Sequence, residues 1–480
     1  MSNHVVVGSR DDRGRPRSRK VRLRTGAVNP ARMVAKPHVL IHRQAGATPA
    51  PGGGDQGEHQ MGWTRLPLAT AATALLVHAG SAAAAELRFT CYEDGNECQV
   101  MSELLKRFEA DNQGITVAVD VVPYKAILES LPVQLAAGEG PDLARVTDLG
   151  GLHQYYLDIG PYVDRAYWEE NFGTTLPWYR SGPDDDGIYG MMTQLTITGP
   201  YINKTLFDQA GVEPPGDGAS WDEWTEAARE VAEATETPFP MALDRSGHRL
   251  AGPAISMGAK FFDANGNLNV VDEGFREAVT RFVEWHQDGT MATDVWGGKG
   301  GAAYQDAAQE FINAQLVYYF SGSWQVGQFE EAIADAFDWQ VVPPPCGDAG
   351  CTGMPGGAGL VGFKDTEHPE EVAKVIDFFA SEPIHAELIA RTKNVPAHKG
   401  LIEKGLEYPD VSPQAAAALK AWGQQVGDIS PIAYQLQGYP NNRAVFNIVV
   451  NRVTQAIVGE ISTEEALERI DADIAETVKQ

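Results

Sequence analysis

The chain is 480 residues long, enough for two or three domains that each bury a core. Its 43% hydrophobic and 21% charged content excludes disorder throughout, and no run of about 18 to 20 apolar residues is present to span a membrane. The formal charge of −27 is uneven: residues 1–60 are net basic, whereas residues 86–480 hold 26 Lys/Arg against 61 Asp/Glu, so nucleic acid is not expected as a partner.

Residues 1–60 read as a tail. A basic run from Arg10 to Arg24 is followed by a Pro/Gly-rich stretch at 48–54, and neither has a period that could bury a face. From Met61 the order is a short positive segment with Arg65, an apolar run over 66–77, and Ser81-Ala-Ala-Ala-Ala85. That is the order of a secretory signal peptide, read over 61–85. A signal sixty residues into a chain implies that translation starts at Met61 and that 1–60 is a non-native or disordered extension. Glu86, not Cys, follows the cleavage point, so a free periplasmic protein is expected, not a lipoprotein.

Beyond that point the pattern alternates. Strands are expected at 87–92, 115–122 and 142–146, separated by helical periods at 99–112 and 124–137, which together predict an α/β domain built on a parallel sheet. The alternation returns with helix 305–315, strand 316–320, helix 324–337 and strand 339–342, then strand 360–363 and helix 369–380. The last hundred residues are mostly helical, most clearly at 442–458 and 463–478. Breaks at Gly199-Pro200, Pro343–Pro345 and Val395-Pro396 predict a chain that crosses between two lobes more than once. Four cysteines allow three connectivities; spacing favours Cys91–Cys98 and Cys346–Cys351 in an oxidising compartment over a four-thiolate zinc site.

The inventory of reactive motifs is thin. There is no Gly-x-Ser-x-Gly, no His-Glu-x-x-His and no phosphate loop. Asp263–Asn269 resembles a calcium loop but lacks its Gly and Glu, and a turn before a helix at Phe275 is expected there. No metal, cofactor or catalytic residue is therefore assigned. An exported glycoside hydrolase survives as an alternative only because 61 acids leave carboxylate pairs open. The positive signal is aromatic: after residue 85 come nine Trp and fifteen Tyr, many beside Gly, Asp or Asn. Flat apolar faces ringed by polar groups are what carbohydrate recognition needs.

Seven stretches occur in an order that resembles the extracellular solute-binding proteins of carbohydrate ABC transporters, the group that includes the maltose-binding protein. They are Leu135-Ala-Ala-Gly-Glu-Gly-Pro-Asp142, Gly187-Ile-Tyr-Gly190, Tyr201-Ile-Asn-Lys-Thr-Leu-Phe with Ala210-Gly-Val212, Trp221-Asp-Glu-Trp224, Phe311-Ile-Asn-Ala-Gln with Ser321-Gly-Ser-Trp324, Met354-Pro-Gly-Gly357, and Asn394-Val-Pro-Ala397. The resemblance departs at Ala314 and Ile202, where Gly and Tyr are usual. It implies two α/β lobes of the periplasmic-binding-protein type II class, joined by hinge strands around a ligand cleft. The expected lobes are 86–199 with 343–395, and 200–342 with 396–480. It also implies a monomer that closes over a mono- or oligosaccharide and delivers it to an ABC permease; a binder of another polar solute, such as a polyol, is the other reading.

Ligands of open α/β sheets sit beyond the carboxyl ends of strands, which nominates Tyr92, Glu93, Asp94 and Asp148. The family's C-terminal segment nominates Tyr434, Tyr439, Asn442 and Arg443. Gln194, Trp296 and Gly357 are further candidates. Trp324 follows an apolar strand and opens a helix, and both its position and the resemblance make it the expected stacking platform.

Overall fold

In the computed structural model, residues 8–10, 16–18, 85–93, 95–297 and 304–477 are described. The signal peptide, most of the extension and Asp94 lie outside them. By itself, the N-terminal segment shows two three-residue strands, Gly8–Arg10 and Pro16–Ser18, paired antiparallel. Everything below concerns residues 85–477.

The alternation expected after residue 86 is present as β1 (Ala85–Tyr92), β2 (Ile115–Val122) and β3 (Leu143–Val146), with β1 pairing both neighbours in parallel. Glu97–Asp111 covers one side, burying Val100, Leu104, Leu105 and Phe108. The helical period at 124–137 splits into Tyr124–Glu129 and Leu131–Ala136, because Pro132 has no N–H to continue a ladder and opens a new first turn.

The longest strand is β4 (Gly190–Asn203), buried at every position. It belongs to both lobes. Its first half pairs with β8 (Pro355–Gly362), and its second half pairs with β6 (Leu316–Gly322) and β7 (Trp339–Val341). β8 is antiparallel to β3 as well, so it is the one reversed strand between β3 and β4, which run in the same direction. β5 (Phe239–Leu243), not anticipated from the sequence, runs parallel to β6 at the edge of the second lobe. Pro238 and Pro240 hide its pattern, and an edge position tolerates Pro240. The order across the sheet is β2-β1-β3-β8-β4-β6-β5.

The expected helix 305–315 is shorter, Ala308–Ile312, and Gln305 instead bridges Arg245. The helix expected at 324–337 is a 3₁₀ turn, Ser323–Gln325, followed by Val326–Ile333. Helix Pro369–Ala380 matches its expected span, Asn442–Ile457 ends one residue early, and the last helix is described over Thr463–Thr477, residue 478 lying outside the described residues. Asp263 closes the calcium-like loop as a turn, its Oδ1 accepting from the N–H groups of Asn265 and Asn267, and Asp272 caps the helix that follows at Glu273.

Both cysteine pairs form disulfides. The Cys346–Cys351 hairpin packs on the second lobe, where the Cys346 N–H donates to Ala219 O at 2.9 Å. Helix Lys399–Lys404 packs on the first, with His398 donating to or accepting from the Tyr167 hydroxyl at 2.9 Å. No helix among the described residues is long and apolar enough to cross a membrane.

Candidate functional site

A cleft opens between the lobes where parallel strands of both end. β1 delivers Tyr92, β3 leads to Thr147, β5 leads to Ser246–Arg249, and β6 leads to Trp324. Carboxyl ends of strands are free of ladder partners and are followed by loops, so side chains there converge on one space. β4 and β8 form the floor with Gln194, Thr196, Gly356 and Gly357. The first two turns of helices Gly247–Ser256 and Asn442–Ile457 supply His248, Arg249, Asn442, Arg443, Phe446 and Asn447.

The first-lobe wall is an aromatic pair on a buried cation. Tyr92 and Tyr124 stand 4.9 Å apart between ring centroids, and the Arg145 guanidinium lies 4.2 Å from the Tyr92 centroid. Arg145 also donates to Tyr92 O and to Gln194 Oε1, both at 2.7 Å, which fixes the wall to the floor. Gly357 has φ +133°, and a Cβ there would run into the Gln194 carbonyl oxygen. Only glycine lets β8 approach β4 this closely beside the site.

The second-lobe wall rests on a buried carboxylate. Asp244, directly after β5, accepts from Tyr319 Oη at 2.5 Å, Ser321 Oγ at 2.7 Å and Tyr304 Oη at 3.2 Å. Burial raises its carboxyl to about 6, against the opposing pull of Arg249. Arg249 lies over Trp324, and its Nη1 donates to His248 Nδ1 at 3.2 Å. His248 Nε2 lies 2.9 Å from Pro355 O, which fixes the tautomer, and burial followed by the Arg249 charge lowers its pKa to about 3. This imidazole is neutral at any physiological pH and ties the second lobe to β8.

Two contacts bridge the cleft at the Tyr124–Thr147 pair. Arg443 Nη2 donates to Thr147 Oγ1 at 3.1 Å, the same hydroxyl that meets Tyr124 Oη at 3.0 Å. Tyr304 meets the Tyr124 ring edge-on at 6.4 Å.

Of the residues nominated from sequence, Tyr92, Gln194, Trp324, Gly357, Asn442 and Arg443 line this cleft. Asp94 lies outside the described residues, and the remaining nominees are not in the lining. Trp296 belongs to the core: it is fully buried, its Nε1 donates to Leu243 O at 2.9 Å, and its ring packs on Phe282. Tyr434 stacks on Trp178, and Tyr439 meets Phe262 edge-on. Glu93 is exposed and accepts from the Gln99 N–H at 3.2 Å. Asp148 is half-buried behind the wall, where it accepts from the Gly151 N–H; burial raises its pKa and Arg443 pulls it back. Sequence reading missed Tyr124, Thr147, His248, Arg249 and Tyr304. Recognising β5 through its prolines would have placed His248 and Arg249 beyond a strand end. Among the described residues no cluster of three or more His, Cys, Asp or Glu is placed to hold a metal ion.

Residues 96–386 match the family model described as bacterial extracellular solute-binding protein. A binding protein of Brucella abortus is 25% identical over 343 residues, which cover 68% of this chain and 80% of that one. The arabinooligosaccharide-binding protein of Halalkalibacterium halodurans is 25% identical over 286 residues, 57% of this chain and 61% of that one. In structure, an ABC substrate-binding protein from Listeria monocytogenes in complex with cycloalternan superposes with a TM-score of 0.71 at 18% identity, covering 82% of this chain and 99% of that one.

Proposed function

The chain belongs to the family of bacterial extracellular solute-binding proteins, and we propose that it is the saccharide-binding component of an ABC importer. The observation that carries this reading is the cleft itself, with Tyr92 and Tyr124 on one lobe facing Tyr304 and Trp324 on the other around amide and guanidinium groups. Aromatic faces cover the apolar C–H surface of a sugar while the polar groups take its hydroxyls. Oligosaccharide binding by relatives supports it too.

β4 runs through both lobes, so small changes of φ and ψ near its midpoint, with those of the two other crossing segments, would open and close the cleft by hinge motion. We place the lobes at 86–199 with 343–395 and 200–342 with 396–480, as the sequence breaks have it, with the 346–351 hairpin leaning on the second lobe and the 399–404 helix on the first. We read the activity as binding without turnover. Glycoside hydrolysis uses two carboxyl groups at the scissile bond, whereas no Asp or Glu lines this cleft among the described residues. In this reading the protein is exported to the periplasm by a signal peptide that begins near Met61, works as a monomer and hands its ligand to the membrane permease.

Isothermal titration against neutral and acidic mono- to tetrasaccharides tests the reading, combined with small-angle scattering for closure. Saturable binding with compaction and no product on long incubation is expected. Hydrolysis of a bound saccharide, or binding of none of them by folded protein, would sink it.

A further inference from the structure

Among the described residues, the cleft's charge is opposite to that of the body around it. Residues 86–480 are strongly acidic, with 26 Lys/Arg against 61 Asp/Glu, yet the described residues lining the cleft include two arginines and no carboxylate. On the surface of the same body arginine readily finds an acid, as Arg229 does with Asp288 at 2.5 Å and Arg276 with Glu464 at 2.9 Å. Arg249 and Arg443 have no carboxylate within 4.0 Å among the described residues; their partners are the neutral His248 ring and the Thr147 hydroxyl. Arg249 Nε is buried with no acceptor at all. The carboxylates that feel these charges are otherwise engaged. Asp244 gives its oxygens to Tyr304, Tyr319 and Ser321, and Asp148 lies outside the lining.

Asp244 and Asp148 act on these half-buried guanidinium groups only from a distance and make no direct bond to them, although a chain with 61 acids in its body could easily have placed a carboxylate against each. We infer that the counter-charge comes with the ligand: resting on the saccharide reading above, the cleft takes a sugar that carries an oxyanion, a uronate carboxylate or a phosphate ester, held by Arg249 and Arg443. The planar fork of Arg matches both groups, and charge-assisted bonds of this kind are about twice as strong as neutral ones. Arg249 lies over the Trp324 ring and also 5.3 Å from the Tyr304 centroid, which holds the fork in one plane. The amino ends of helices Gly247–Ser256 and Asn442–Ile457, whose first turns line the cleft, add positive partial charge on the same side of the balance. A neutral sugar answers these donors only with uncharged hydroxyl and ring oxygens, which form the weaker bonds.

The test is calorimetric titration of the purified protein with matched pairs: galactose and galacturonate, their disaccharides of one linkage, glucose and glucose 6-phosphate. Each is run at low and at physiological salt, and with Arg249→Met and Arg443→Met, whose melting curves are checked first. At least one acidic member should bind about tenfold or more tighter than its neutral counterpart, with affinity falling as salt rises, and the Met variants should lose most of that advantage. Which acidic member wins separates carboxylate from phosphate. If neutral sugars bind as tightly as their acidic partners, or if the acidic preference survives both substitutions, the inference is overturned while the saccharide reading stands. If no saccharide of either kind binds to folded protein, both fall.

Discussion

The Arg249 guanidinium carbon lies over the Trp324 indole, 4.2 Å from the ring centroid. The residue expected to offer an open face to a sugar therefore shares that face with a cation, and its ring also rests against the bare Cα of Gly322, where any Cβ would collide with it. A ligand that reaches Trp324 meets Arg249 as well.

Trp324→Ala removes both the half-exposed ring and the shelf that orients the guanidinium. Saccharide affinity should fall about tenfold to a hundredfold, from lost stacking and burial worth roughly 1 to 3 kcal/mol. Most of any ligand-induced fluorescence change should go with it. A variant that melts several degrees lower yet binds normally would place the indole in the core instead.

Gly357→Ala forces a side chain into a backbone of φ +133° and against the Gln194 carbonyl. Strain of about 1 to 3 kcal/mol should appear as a lower melting temperature, and displaced Gln194 should weaken ligand binding at the same time. Thermal melts with titration of the surviving folded fraction check it. An unchanged melt would mean that β8 can move away from β4 freely.

Stability should depend on pH through groups of opposite sign. Burial lowers His248 to about 3 and His286 to about 4. Below pH 6.5 the unfolded chain binds protons that these buried rings refuse, so their contribution is present above 6.5 and is lost as pH falls toward 4. Asp244 runs the other way: its raised pKa, about 6, makes the native state take the proton first, so stability withheld at pH 7 returns between pH 6 and 4. His286→Gln should flatten the acid limb of melting temperature against pH, and Asp244→Asn should steepen it. Parallel limbs for wild type and both variants would contradict the assignment.

The Cys91–Cys98 disulfide closes a loop of sequence separation 7 directly beside Tyr92, whose carbonyl anchors Arg145. Replacing both cysteines with Ser should lower stability by roughly 2 to 3 kcal/mol. Because the loop edges the first-lobe wall, ligand affinity should drop too, whereas replacing Cys346 and Cys351, in a hairpin outside the cleft lining, should spare it. Equal effects of the two pairs on affinity would count against the wall's dependence on the first.

Much of this molecule is written locally. Period and β-branching placed β1, β2, the helix at 369–380 and the two C-terminal helices, because each buries one face at a spacing that a short window reveals, and β3 reads as a short, mostly apolar run that is buried throughout. Trp324 could be nominated because it stands at the junction of an apolar strand and a helix, whereas Arg443 could be reached only through the family resemblance of its segment. What a window cannot hold is which of ten tryptophans meets water. Trp296 looks as eligible as Trp324 in sequence, and it is core only because Phe282 and the Leu243 carbonyl, 14 and 53 residues away, arrive around it. The charge of the site is equally non-local. Arg249 follows a strand masked by prolines, Arg443 opens a helix near the other end of the chain, and in a body with 61 acids neither looks exceptional. Only the folding of two lobes around one space brings both guanidinium groups to it and leaves the carboxylates of the described residues outside its lining, because burial and Coulomb interaction depend on distances across the fold and not along the chain.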